Sequence, residues 1–109
     1  MYRYSFPVLL DGDPVFRLIV EMDTCVGKPH PDKSNVVFYW EVIHAGTGLK
    51  ITNGSKIYED IPDSDLDQFF NGLLQFSRTI LIKTLENTAR ELHKLEDFYA
   101  SGLLEDSPQ

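Results

Sequence analysis

The residues best placed to do chemistry are acidic. Glu59, Asp60, Asp63, Asp65 and Asp67 crowd into one short stretch. Hard cations such as Ca²⁺ favour oxygen clusters of this kind. Asp63, Asp65 and Asp67 match the first alternating ligand positions of a calcium-binding loop, but the required glycine is Gln68 and the bidentate glutamate position is Leu74. Carboxylates at the start of a helix have a simpler role, capping free amides and offsetting the positive end of the helix dipole. No metal site is expected here.

Nucleophilic chemistry has one candidate, Cys25, with His30 or His44 as its base. Such a pair needs a third group to orient the base, and no such group can be read from the spacing. One cysteine and three scattered histidines also fall short of the four ligands a zinc site uses. Gly46-Thr47-Gly48 lacks the Gly-Lys-Ser/Thr ending of a phosphate loop and leads into a strand pattern, so it reads as a turn. Phe38-Tyr39-Trp40 could stack on bases, but the surrounding charge is unfavourable and strand packing accounts for these rings. No catalytic residues and no cofactor are expected.

The chain has 109 residues, the size of one domain, and 42% of them are hydrophobic, which excludes a disordered segment. Ten Lys and Arg against 17 Asp and Glu give a net charge of −7. That charge repels phosphate backbones and anionic lipid, so no direct nucleic-acid binding and no membrane binding are expected, whereas a basic protein would be attracted. A single cysteine forms no intrachain disulfide, and no signal-like or membrane-spanning apolar run is present. A cytoplasmic location is expected.

The elements that must position these residues divide at Pro62. Before it, Tyr2, Tyr4 and Phe6 alternate with polar residues, and Pro7 suggests an edge strand. Asp11-Gly12-Asp13-Pro14 turns the chain into a second strand over 15–22. Residues 23–35 read as a loop carrying Lys28 and His30. The segment 36–45 is the strongest strand, apolar on both faces. Asn53-Gly54 is a strong two-residue hairpin signal, leaving 56–58 to close the sheet.

After Pro62 the pattern is helical over 62–101, with Ser101-Gly102 as a stop and 102–109 as a frayed tail. The expected fold is α+β: an antiparallel meander of four to five strands over 1–61, then a long C-terminal helix packed on one sheet face. A straight helix over 63–100 spans roughly 57 Å, far beyond a compact domain with a radius of gyration of roughly 13 Å. It must either break, with Asn87-Thr88 the weakest point, or pair with a second copy. Because 69–85 is apolar around most of its circumference, a homodimer is the expected solution, with Phe69, Phe70, Leu74, Leu81 and Leu85 as self-association residues.

The function expected from these observations is non-catalytic. The chain reads as an acidic inhibitor, immunity or adaptor protein that docks on a basic partner through Asp60, Asp63, Asp65 and Asp67, with Lys28 and His30 as a second patch. The alternative is a secretion chaperone or a phage or plasmid assembly protein acting through its apolar helix face. A third reading, a small-molecule-binding protein, uses a cleft lined by Tyr39, Trp40, His44 or Cys25.

Overall fold

A computed structural model describes the backbone of residues 1–28 and 30–105, and side chains as far as Leu95. Four strands, β1 (Tyr2–Leu10), β2 (Asp13–Thr24), β3 (Lys33–His44) and β4 (Lys50–Pro62), form an antiparallel meander in the order β1-β2-β3-β4. A 3-10 turn (Asp63–Asp65) opens a helix comprising α1 (Leu66–Phe76), a π turn (Ser77–Leu81) and α2 (Ile82–Glu105). The fold is α+β, with the helix on one sheet face.

Alternation explains the sheet. Every second residue of β2 (Phe16, Leu18, Val20 and Met22) and of β3 (Val36, Phe38 and Val42) is buried against the helix, together with Val8 from β1. The helix contributes Leu73 and Ala89 to this core, flanked by Leu66, Phe70, Leu81 and Leu85. The intervening residues form the open face, where Arg3 pairs with Glu21 at 3.3 Å and Arg17 donates to Ser5 at 2.8 Å. Pro7 lies in an edge strand, one residue before a bulge at Val8/Leu9.

Asn53-Gly54 is not a turn. Both residues lie inside the single long strand β4, so the sheet has four strands, and the β3–β4 reversal occurs at Gly46-Thr47-Gly48. There Gly48 adopts φ +75° and its amide donates to the His44 carbonyl at 2.8 Å. A packing contact overrides the turn signal: Gly54 faces Trp40 across the ladder, and a Cβ at Gly54 would lie 2.1 Å from the indole ring. Gly54 supplies the space that Trp40 occupies. The loop expected over 23–35 is also shorter, since β2 runs to Thr24 and β3 starts at Lys33.

The helix does not break at Asn87-Thr88, and Ser101-Gly102 does not stop it, because α2 runs on to Glu105. Of the expected tail, 106–109 lies outside the described residues. The irregularity is instead the π turn, which carries one extra residue. In an unbroken α-helix, Ala89 would sit roughly 160° around from Leu73, and the extra residue reduces this to roughly 60°. The π turn thus keeps α2 facing the sheet that α1 already covers. Buried Ser77 donates its hydroxyl to the Leu73 carbonyl at 2.9 Å, so the turn leaves no buried side-chain polar atom unpaired among the described residues.

Candidate functional site

Four structural elements converge at one end of the sheet: the close of β2, the loop over 25–32, the close of β4 and the start of the helix. Asp23, Asp32, Glu59, Asp60, Asp63, Asp65 and Asp67 are all brought to this end. The nearby cations are partly committed. The terminal amine of Met1 lies 3.8 Å from Asp23, and Lys28 forms an ion pair with Asp63.

Asp63 holds the join between sheet and helix. Its carboxylate accepts from Lys28 Nζ and, at 2.8 Å, from Ser34 Oγ, while its backbone amide donates to the Asp32 carbonyl at 2.9 Å. Lys28 also donates to the Pro31 carbonyl at 3.1 Å, closing the loop on itself. The Lys28 hydrogen bond, followed by that from Ser34, holds the Asp63 carboxyl below its ordinary value. No side-chain cap is formed at Pro62 or Asp65, so the expected capping role of Asp63 gives way to this latch. Asp60 adopts φ +59°, unusual for a residue with a side chain, and its amide donates to Asn35 Oδ1 at 3.0 Å.

Of the residues expected to bind a partner, Asp60, Asp65 and Asp67 are exposed, Asp63 and Lys28 engage each other, and His30 is exposed in the loop and bridges to Lys33. Next to them, Tyr2, Tyr4, Met22, Asp67, Phe70 and Asn71 line a cleft of about 290 Å³. The Tyr2 and Phe70 rings are 5.1 Å apart and tilted. Aromatic faces attract cations, and a carboxylate at the rim adds charge, so this cleft suits the stem and head of a lysine or arginine. Asp67 was expected at a partner site, whereas Phe70 was expected in a self-association seam and Tyr2 and Tyr4 only in a strand. Only the alternation of Tyr2 and Tyr4, which sends both rings to the helix side, pointed to the cleft.

The cleft expected between Tyr39, Trp40, His44 and Cys25 does not assemble. Tyr39 faces the open side of the sheet, where Asn53 donates to its hydroxyl at 3.3 Å, whereas Trp40 faces the helix side. Cys25, whose amide donates to Asn35, and His44 stand at opposite ends of β3. His44 accepts from the Thr47 amide through Nδ1 at 3.2 Å, a turn contact. No group of three His, Cys, Asp or Glu is set to hold a metal among the described residues. No helix among them is long and apolar enough to cross a membrane. Phe69, Phe70, Leu74, Leu81 and Leu85 are half-buried against their own sheet, and among the described residues the more exposed apolar side chains of the helix are Phe76, Ile80, Leu92 and Leu95.

No protein family, curated protein or solved structure matches the chain.

Proposed function

We propose that this chain is a non-catalytic cytoplasmic adaptor or inhibitor that docks its acidic end on a basic protein, anchoring one lysine or arginine side chain in the Tyr2–Phe70 cleft. The observation that carries this reading is the pairing of an aromatic-lined cleft with the Asp67 carboxylate, at the end of the sheet that gathers Asp23, Asp32, Glu59, Asp60, Asp63 and Asp65 as well. Distributed carboxylates raise the association rate by steering, while the cleft gives the complex a fixed register. Titration of isotope-labelled protein with a deca-arginine peptide tests it by NMR. Amide shifts should concentrate at Tyr2, Tyr4 and 65–71, and Asp67→Asn with Phe70→Leu should remove them. Shifts spread evenly over all exposed carboxylates would reject the cleft as an anchor.

A second reading, an assembly protein or secretion chaperone acting through the helix, draws on the exposed Phe76 and Ile80. It predicts partner capture that is insensitive to Asp67→Asn and lost on Ile80→Asp.

A further inference from the structure

The helix does not sit centrally on its sheet. Its backbone comes closest to β1 and then β2 through α2, and stands off β3 and β4. Phe69 meets Tyr58 of β4 edge-on at 5.0 Å, which fixes the flank that looks toward β4. Further along, a groove follows Thr84, Thr88, Glu91, Leu92 and Leu95. Phe76, Ile80, Leu92 and Leu95 are 42%, 55%, 46% and 47% exposed. The threonines between them are less polar than their names suggest. Thr84 donates its hydroxyl to the Ile80 carbonyl at 2.8 Å and Thr88 to the Thr84 carbonyl at 2.9 Å, so neither needs water.

We infer that this flank seats the same helix of a second copy, laid antiparallel about a two-fold axis between Asn87 and Thr88. Surface area supports a lasting partner. A compact monomer of 12.5 kDa would expose roughly 6,200 Å². This chain exposes 7545 Å², a surplus larger than the ~800 Å² each partner gives to a specific dimer. Its radius of gyration is 19.0 Å against the roughly 13 Å of a compact domain of this length.

Complementarity supports a copy of the same chain. About that axis, Ile80 of one copy comes level with Leu95 of the other, Asn87 with Thr88, and Lys83 flanks Glu91, which its own Lys94 also approaches at 3.6 Å. Symmetry repeats each contact. A parallel copy in register would set Glu91 against Glu91, and the small Thr84 and Thr88 near the axis let two helix backbones approach closely. Apolar pairs at both ends of the seam and opposite charges along it favour the antiparallel arrangement.

The full chain in sedimentation equilibrium should run at twice its 12.5 kDa mass. Ile80→Asp should weaken self-association by roughly a hundredfold, since each dimer then buries two unpaired carboxylates. Lys83→Glu should weaken it less, and Lys83→Glu with Glu91→Lys should restore it. In a Cys25→Ser background, Thr88→Cys should oxidise to a covalent dimer, and Arg78→Cys, on another side of the helix, should not. A monomer at all concentrations would overturn the inference and leave the flank to a foreign helix. A dimer indifferent to Ile80→Asp, with no crosslink at Thr88→Cys, would overturn it in favour of a different interface. These readouts are independent of the acidic cleft, so either proposal can fail alone.

Discussion

Asp63 binds Lys28 and Ser34 across the join between sheet and helix, and both contacts need its carboxylate charged. Because the native carboxyl titrates below its unfolded value, the latch contributes fully above the ordinary aspartate pKa of about 3.9 and is lost as pH falls through the lower native value. Asp63→Asn should therefore lower Tm at neutral pH, with the gap to the unmodified chain closing in acid. Equal Tm values at pH 7 would rule out a stabilising latch. Trp40 and Gly54 make a second residue-scale case. Gly54→Val inserts atoms where the indole lies and should cost about 1–3 kcal/mol, measurable by urea unfolding with tryptophan fluorescence as the signal. Neither contact could be read from the sequence. Lys28 and Asp63 are far apart along the chain, and Asn53-Gly54 carries a turn preference that reverses only once Trp40 is known to lie across the ladder. The carboxylates themselves were legible; that Tyr2, Tyr4 and Phe70 meet beside Asp67 was not, because strand and helix are far apart along the chain.

Among the elements, β1 and β2 were plain from apolar alternation, and β3 from a β-branched and aromatic run that is apolar on both faces. The helix was plain from its long proline-free amphipathic run. What escaped the pattern was the π turn, since its cause is global: it re-aims α2 at a sheet that α1 already covers. Deleting Thr79, whose side chain is exposed, should test this directly. Removing one residue restores an ordinary helical turn and swings Ala89 and Leu85 off the core. The deletion should lower stability by about 2–5 kcal/mol, the scale of losing a large core side chain, whereas Thr79→Ala should cost under about 1 kcal/mol. Circular dichroism during denaturant melts distinguishes the two, and equal melts would assign the wider turn a passive role.

For the whole molecule, the decisive property is separation of character: carboxylates at one end, apolar helix flank toward the other. The principal extents of 72 × 25 × 20 Å give the charged end a long lever from the far helix terminus. Steering by that end should make association with a basic partner fall steeply as salt rises from 50 to about 500 mM, where the Debye length drops from about 14 to about 4 Å. Stopped-flow rates that stay flat across this range would refute the acidic-end reading. The meander itself carries one more consequence. Every strand is hydrogen-bonded to its immediate neighbour in the chain, an arrangement that closes quickly and can do so while synthesis is still under way. Yet the oily side of the nascent sheet stays bare until Leu73 and Ala89 have been made and folded down. The newborn polypeptide thus passes through an interval in which it is sticky, and its hazard of clumping is greatest before the helix emerges.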